Sequence, residues 1–261
     1  MIYWLVIYIF IINTIMYIFI KYVTHMRVQY FFIDNIIVAL LGIIIGLILR
    51  EHPVLSFTIS TISLPVFAYL GIQLHFWRSP NRKLVAKDNE IVSPADGNII
   101  YINKIDKKKD FISIKNGKIF NLTEITQTDM ITKPCWQIGI NMTPFDVHKN
   151  CSPIDGKVIL SKHISGKFHS LKEYIALIEN ERHTYVIAND FCQVGVVQIA
   201  SRRVRRIDSY VTEGQYVKKG EWIGMIRFGS QVDVFLPIEA KINVKLKQQV
   251  YAKKSIIAEI R

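Results

Sequence analysis

The sequence predicts an α+β protein in which apolar membrane helices precede a mainly β domain of the barrel-sandwich type. Three observations support this prediction. The chain is 50% apolar, and the apolar excess lies mainly in the first 77 residues. From residue 90 onward, short β-like runs alternate with Gly, Pro, Asn and Asp. The segment 213–224 has the turn-and-strand pattern of a lipoyl-like barrel-sandwich.

Residues 1–25 are predicted to form an N-terminal transmembrane anchor. Positions 1–20 carry no charge, and roughly 20 apolar residues span a bilayer as a helix. Residues 26–82 are predicted to form an apolar helical hairpin that ends in an interfacial junction. Its arms, 31–49 and 54–77, are separated by a short polar turn. The second arm is richer in Ser and Thr than a lipid-facing helix, so it is expected to lie in the interface or dip into the bilayer rather than cross it.

The charge balance indicates the kind of partner. Lys and Arg exceed Asp and Glu by 33 − 21 = 12, and beside an apolar N-terminus this favours an anionic membrane surface over nucleic acid. Basic residues flank both open ends of the predicted hairpin. The positive-inside rule therefore puts the following domain on the cytoplasmic side of a bacterial-type inner (plasma) membrane. Three cysteines without C-x-x-C spacing argue against a disulfide framework or a zinc site and fit a reducing compartment.

Residues 83–261 are predicted to form one β-rich domain. The pattern S-P-x-D-G-x-[IV]-I occurs twice, at 93–100 and 152–159, which indicates an internal duplication. The segment 172–179 is the helical candidate. Representative strands are predicted at 99–102, 111–114, 137–140 and 184–187.

A Gly-Ser pair, Gly229-Ser230, separates two strand-like runs near the C-terminus. Glycine has no Cβ, so the carbonyl carbon of Gly229 can be approached closely. Attack by the hydroxyl of Ser230 on that carbon would convert the peptide bond into an ester. The alternative interpretation of an isolated Gly-Ser pair is a β-bulge or a tight bend.

Two other residues are candidates for chemistry. His148 lies beside the charged residues Asp146 and Lys149, and its imidazole titrates near neutrality, which suits a general base. An exposed histidine without a role is the alternative. Asp96 lies in S-P-A-D-G, which by itself is typical of a tight turn.

These segments resemble the phosphatidylserine decarboxylase family, in its compact, membrane-associated, pyruvoyl-dependent type. The resemblance extends over most of the chain after residue 75, in five blocks that stand in the family's order around Gly229-Ser230. The blocks are FWRSPNR at 76–82, SPADG at 93–97, PFDVHKNCSPIDG at 144–156, NER at 180–182 and QIASRRVRRI at 198–207. The histidines at 163, 169 and 183 match no block and are expected at the surface.

The resemblance implies a catalytic domain that cleaves itself between residues 229 and 230. His148, held by Asp96, would deprotonate Ser230, which would attack the carbonyl of Gly229. Elimination and hydrolysis would leave a covalent pyruvoyl group at position 230, and the two fragments would stay associated. The pyruvoyl ketone would form a Schiff base with the serine headgroup of the phospholipid substrate and act as an electron sink while CO₂ leaves. The product would be phosphatidylethanolamine, and no metal is implied.

The basic run at 202–206 is a candidate for contact with the lipid phosphate. A solvated basic strand is the alternative for this run. Four guanidinium groups stand close together in it: Arg202, Arg203, Arg205 and Arg206.

Two other functional interpretations stay open. The first is a membrane-anchored, lipoyl-like adaptor without catalysis. The second is a pyruvoyl decarboxylase of a related amino-lipid, which the departures from the family pattern allow. Those departures are Ser79, Cys151, Ser201 and Gln231. Either enzyme is compatible with a homodimer.

Overall fold

The computed structural model describes part of the chain. The described residues are 40, 44, 47–48, 51–52, 54–55, 58–59, 76–105, 111–114, 118–131, 134–143, 146–173, 175–201, 206–227 and 230–260. The chain divides into two compact units, Met1–Trp77 and Arg78–Arg261. The predicted anchor at 1–25 and most of the predicted hairpin lie outside the described residues, so their boundaries stay predictions.

The predicted α+β class is wrong. The described part of the second unit contains sixteen strands and two short helices, so it is mainly β. Within the described residues, no helix is both long enough and apolar enough to span a bilayer. The predicted helix at 172–179 is also shorter than expected, because only Ala176–Glu179 is α-helical.

The strands and helices follow one another with short connections. In chain order, they are β1 (Glu90–Val92), β2 (Gly97–Ile105), β3 (Phe111–Ile114), β4 (Lys118–Asn121), α1 (Leu122–Thr126), β5 (Cys135–Met142), β6 (Lys149–Cys151), β7 (Gly156–Ile164), α2 (Ala176–Glu179), β8 (Arg182–Ala188), β9 (Gln193–Ala200), β10 (Ile207–Ser209), β11 (Tyr216–Val217), β12 (Trp222–Ile226), β13 (Ser230–Pro237), β14 (Lys241–Ile242), β15 (Gln249–Val250) and β16 (Ile256–Glu259). The four representative strands predicted from the sequence are confirmed.

An eight-stranded curled sheet forms the centre of the domain. Its strand order is β11-β7-β8-β9-β13-β5-β2-β15, and every neighbouring pair is antiparallel. Two three-stranded sheets, β1-β16-β14 and β10-β12-β6, and the β3-β4 hairpin accompany it. The strand β13, which begins at Ser230, therefore lies between β9 and β5 inside the main sheet.

Side chains alternate along β13 between two buried clusters. Val232, Val234 and Leu236 belong to the larger hydrophobic cluster. Phe235 belongs to a second cluster, to which α1 and α2 also contribute. Because successive residues of a strand point to opposite faces, Ser230 shares the face of Val232, whereas Gln231 and Asp233 share the face of Phe235.

The two S-P-x-D-G segments make equivalent contacts. In each, the aspartate accepts a backbone N–H from a later segment: Asp96 from Ala252 at 2.8 Å, and Asp155 from Lys219 at 3.0 Å. The glycine of each segment begins a nine-residue strand, β2 or β7. Equivalent sequence thus gives equivalent local structure at two places in the domain.

Candidate active site

Ser230 is fully buried at the start of β13. It pairs with Met142 at the end of β5 and with Ala200 at the end of β9. Its Oγ donates a hydrogen bond to the thioether of Met142, with 3.1 Å between Oγ and Sδ. A thioether is a weak acceptor, so this contact holds the hydroxyl without strongly competing for its proton. Gly229, the other half of the predicted cleavage bond, lies outside the described residues.

His148 is fully buried immediately before β6. Its Nδ1–H donates to the carbonyl oxygen of Asp146 at 2.8 Å, so Nε2 is the nitrogen that carries the basic lone pair. Its own carbonyl accepts from the backbone N–H of Ile226 at 3.1 Å. Ile226 ends β12, the strand that leads to the predicted cleavage site. The backbone therefore attaches His148 to the chain just before residue 229.

The protonation state of His148 follows from its surroundings. Burial lowers the pKa of its imidazole to about 4, although the bond to the Asp146 carbonyl opposes this shift. The positive charge of Arg78 lowers it further. At neutral pH the imidazole is consequently neutral and can accept a proton. The expectation of titration near neutrality is wrong, but the general-base assignment does not require it.

A short turn fixes the carbonyl that orients His148. The Oδ2 atom of Asp146 accepts from the N–H of Thr143 at 2.7 Å and from its hydroxyl at 2.8 Å. Oδ1 accepts from the side-chain amide of Gln249 at 3.2 Å. Burial raises the pKa of this carboxyl. The residue blocks did not identify Asp146 as part of the site, although a Thr and an Asp three residues apart are typical of such turns.

Asp96 is buried and engaged by an arginine. Both of its oxygens accept from the guanidinium of Arg82, with Nη1–Oδ1 at 2.5 Å and Nη2–Oδ2 at 2.7 Å. Together with the Ala252 N–H, these bonds are the ones that Asp96 makes among the described residues, and none of them goes to His148. The two-bond contact with Arg82 is a feature of Asp96 that the equivalent Asp155 does not share among the described residues. The role of Asp96 beside His148 stays a prediction.

A buried polar chain approaches Ser230 from β9. The amide of Gln198 donates to Asn150 Oδ1 at 2.7 Å, and Asn150 Nδ2 lies 3.9 Å from the Met142 sulfur. All of these side chains are buried. Met142 thus links Ser230 to the strand that follows His148. The sequence does not reveal this series of contacts, because its members lie on three different strands and Gln198 is 48 positions from Asn150.

Cys151 stands where compact members of the family often have arginine. It is fully buried, and its thiol donates to the carbonyl of Ser93 at 3.5 Å. Burial raises the pKa of the thiol to about 12, so it stays protonated and unreactive at neutral pH. This position therefore contributes packing rather than a proton transfer.

The predicted basic run is described only at its end. Arg202, Arg203 and Arg205 lie outside the described residues. Arg206 is exposed, and its Nε lies 2.8 Å from Asp208, whose other oxygen lies 2.9 Å from the Nε of Arg227. Contact between these arginines and the lipid phosphate stays a prediction.

Two residues of the N-E-R block form hydrogen bonds with the residues on either side of the basic run. Asn180 donates its amide to the carbonyl of Ala200 at 2.8 Å, and Glu181 accepts the N–H of Ile207 at 3.1 Å. The first two residues of this block are therefore structural supports.

The expectation of a surface position for His183 is wrong, since it is 5% exposed and stacks on Tyr185.

The family follows from a comparison with known proteins. A family model described as phosphatidylserine decarboxylase matches residues 71–258. The chain belongs to this decarboxylase family. The resemblance carried by the five blocks is thereby confirmed.

Relatives of this decarboxylase family member come from archaea and bacteria. Two of them are named putative archaetidylserine decarboxylase proenzymes: one from Methanothermobacter thermautotrophicus, 36% identical over 78% of this chain and 87% of the relative, and one from Methanocaldococcus jannaschii, 37% identical over 75% and 93%. A phosphatidylserine decarboxylase proenzyme from Cytophaga hutchinsonii is 34% identical over 84% of this chain and 90% of its own length.

The described geometry fits the chemistry of a decarboxylase proenzyme. A buried serine begins a central strand, and a buried neutral histidine is attached to the strand on the other side of the cleavage segment.

Proposed function

We propose that this chain decarboxylates phosphatidylserine to phosphatidylethanolamine with a pyruvoyl group that it forms from Ser230. The observation that carries the proposal is the burial of Ser230 at the start of β13 together with the burial of His148, whose backbone is bonded to β12. Family membership supports the reaction class. The name proenzyme, given to the relatives, fits a chain that is processed before it acts.

Self-cleavage needs a nucleophile and a base from this chain. Nε2 of His148 would accept the hydroxyl proton of Ser230 while Oγ adds to the carbonyl carbon of Gly229. Breaking the carbon–nitrogen bond at that carbon leaves an ester and an amine at residue 230. Removal of the Cα proton expels Gly229 as a carboxylate, and hydrolysis releases ammonia. The products are a large fragment, residues 1–229, and a small fragment, residues 230–261.

The pyruvoyl group would supply an electron sink for the carbanion formed as CO₂ leaves. Position 230 is buried, and the thioether of Met142 provides a soft apolar wall beside it. The small fragment stays associated in this proposal because β13 is bonded to β9 and β5, which both belong to the large fragment.

Intact mass of the purified protein tests the proposal. Detergent-purified protein is expected to give two masses, which correspond to residues 1–229 and to residues 230–261 with a blocked N-terminus. Ser230→Ala removes the attacking hydroxyl and is expected to give a single uncut chain without decarboxylase activity. A wild-type chain that stays whole after mild incubation would instead favour the adaptor interpretation.

Archaetidylserine is a second candidate substrate. Two relatives at 36% and 37% identity carry that name, and the departures from the family pattern, such as Gln231, are compatible with a changed lipid. Both names specify a serine headgroup, so the reaction at position 230 would be the same. Release of CO₂ from each lipid in mixed micelles, compared at equal concentration, decides between them.

We also propose that the protein acts at the cytoplasmic face of a bacterial-type inner membrane. The net charge of +12 supports an anionic lipid surface, and described side chains of the first unit, such as Ile48 and Val54, expose 75% and 79% of their area. Free cysteines fit a reducing compartment. Sedimentation with anionic and with neutral vesicles tests the surface, and light scattering tests the predicted homodimer.

A further inference from the structure

A buried cluster of polar side chains lies on the face of β13 opposite to Ser230. At its centre is the fully buried carboxylate of Asp233. The hydroxyl of Tyr101 lies 2.7 and 2.6 Å from the two carboxylate oxygens. The amides of Gln137 and Gln231 each donate to Asp233 at 2.7 Å, and Gln231 also donates to the Tyr101 oxygen at 2.6 Å.

The cluster depends on a glycine in the strand between its members. Tyr101 on β2 stands opposite Gly139 on β5, which stands opposite Asp233 on β13. A Cβ atom at Gly139 would lie 2.3 Å from the ring of Tyr101. The tyrosine therefore reaches across an entire strand, about 10 Å between the outer two, only because the middle residue has no side chain.

The proposed cleavage divides this cluster between two fragments. Gln231 and Asp233 lie one and three residues from the new N-terminus, whereas Tyr101 and Gln137 belong to the large fragment. Burial and the neighbouring carboxylate raise the pKa of Tyr101 well above its ordinary value, so its hydroxyl stays a donor at any pH at which the protein works. Charge-assisted bonds of this kind are about twice as strong as neutral ones.

We propose that Tyr101 and Gln137 are positioning residues that hold the cleaved end of β13, and hence the group at position 230, in its place after self-cleavage. The inference rests on the proposed function. Before cleavage, the peptide bond to residue 229 fixes Ser230 from one side. After cleavage that tether is gone, and strand ends fray unless they are held. The cluster contacts β13 on the face opposite to residue 230, so it does not obstruct the reacting group.

Gln231 gives this chain a neutral donor where the family usually has arginine. Its amide touches both Tyr101 and Asp233, so the residue next to the reacting group is joined to the same cluster. From the large fragment, the Tyr101 hydroxyl lies within hydrogen-bond distance of both oxygens of Asp233.

The test compares two buried tyrosines that each lose one hydroxyl. Tyr101→Phe removes the hydrogen bond to Asp233, which joins the two fragments, while the phenyl ring still covers Gly139. Tyr185→Phe is the matched control, because the Tyr185 hydroxyl donates to the carbonyl of Ile223 at 3.1 Å, entirely within the large fragment. Three quantities are measured for each variant: the rate of self-cleavage, kcat and KM for lipid, and the rate at which the small fragment is released in urea.

Tyr101→Phe is expected to cleave within about twofold of the wild-type rate, since the intact chain still holds Ser230. Its kcat is expected to fall about tenfold or more with KM nearly unchanged, and release of the small fragment to speed up about tenfold, as expected for loss of a bond to a charged group. Tyr185→Phe is expected to leave all three within about twofold. In uncut Ser230→Ala protein, Tyr101→Phe is expected to lower stability about twice as much as Tyr185→Phe, because only its lost bond is charge-assisted.

Equal effects of Tyr101→Phe and Tyr185→Phe on kcat and on fragment release would overturn the inference. So would a Tyr101→Phe chain whose cleavage slows as much as its turnover, because the cluster would then support the uncut fold. If Tyr101→Phe does not fold, Gln137→Met removes a single donor and must show the same selective loss. A wild-type chain that never separates at residue 230 contradicts the proposed function instead, so the two failures are distinct.

Discussion

The chemistry of His148 is set by the backbone around it. Its Nδ1–H is held by the carbonyl of Asp146, and its burial keeps the ring neutral. A backbone carbonyl fixes the tautomer as an orienting carboxylate would, but it does not stabilise the imidazolium to the same extent. His148 is therefore suited to accepting a proton briefly rather than holding it.

The rate of self-cleavage should report this neutral state. Because burial lowers the pKa of His148 to about 4, the ring accepts the Ser230 proton at all higher pH values. The rate is expected to be level from neutral pH down to about pH 5 and to fall as pH approaches about 4, where His148 becomes protonated. Appearance of the small fragment after a pH jump of freshly synthesised precursor measures it. A midpoint near 6.5 would show a solvent-exposed histidine.

The pair of Asp96 and Arg82 gives a second prediction at this scale. Asp96→Asn leaves the guanidinium of Arg82 partly buried without its counter-charge, which is expected to cost about 3 kcal/mol in the Ser230→Ala background. Asp155→Asn, in the equivalent turn, keeps an oxygen that can accept the Lys219 N–H but loses the charge of the acceptor, and is expected to cost about 1 kcal/mol or less. Urea unfolding measures both.

The rates of self-cleavage in two variants distinguish the structural role of Asp96 from its predicted catalytic role. Arg82→Met keeps the carboxylate, so it is expected to cleave faster than Asp96→Asn if that carboxylate assists His148. Equal cleavage rates in the two variants would show that Asp96 acts only through its ion pair with Arg82.

Sequence blocks identified Ser230, His148 and Asp96, because each lies in a short contiguous pattern. They did not identify the contacts of these residues. The carbonyl of Asp146 is a backbone atom and leaves no mark on residue type. Met142 reaches Ser230 across 88 positions, and Tyr101 reaches Asp233 across 132, so only the strand order brings either pair together.

At the scale of elements, short β-like runs predicted strands correctly. The strands at 137–140 and 184–187 were predicted from residue pattern and lie inside β5 and β8. The helix at 172–179 was predicted too long, since its first residues form turns before α2 begins. The order of eight strands in the main sheet could not be predicted, because non-local pairing leaves no local signal.

The beginning of β2 gives a prediction for one element. Gly97 has φ of +151°, and a Cβ there would lie 2.4 Å from the backbone oxygen of Asn141. Gly214 also has a positive φ, +89°, but nothing lies within 4 Å of its Cβ position. Gly97→Ala is expected to cost about 3 kcal/mol or more, and Gly214→Ala about 1 kcal/mol, because only the first adds a clash to the strain.

Urea unfolding of both glycine variants in the uncut Ser230→Ala background measures this difference. If backbone strain were the only cost, Gly97→Ala and Gly214→Ala would lose equal free energies of unfolding. That outcome would show that β2 shifts away from Asn141 at little cost.

At the scale of the whole molecule, buried histidines couple stability to pH. Burial lowers the pKa of both His148 and His183 to about 4, from an ordinary value of 6.5. The charge of His163 also lowers the pKa of His183. Between these pH values the unfolded chain binds protons that the folded protein does not. The free energy of unfolding must therefore rise with pH through this window and level off above it.

Each histidine can contribute a slope of up to about 1.4 kcal/mol per pH unit, so the uncut Ser230→Ala protein is expected to lose nearly 3 kcal/mol per unit at the steepest point below pH 6. The raised pKa of Asp146 acts in the opposite direction, because its carboxyl binds a proton more readily in the folded protein than in the unfolded chain. Urea unfolding at half-unit steps measures the slope. His183→Gln replaces one of the two groups with a side chain that does not titrate and is expected to halve it. An unchanged slope in His183→Gln would show that the acid loss of stability comes from other groups.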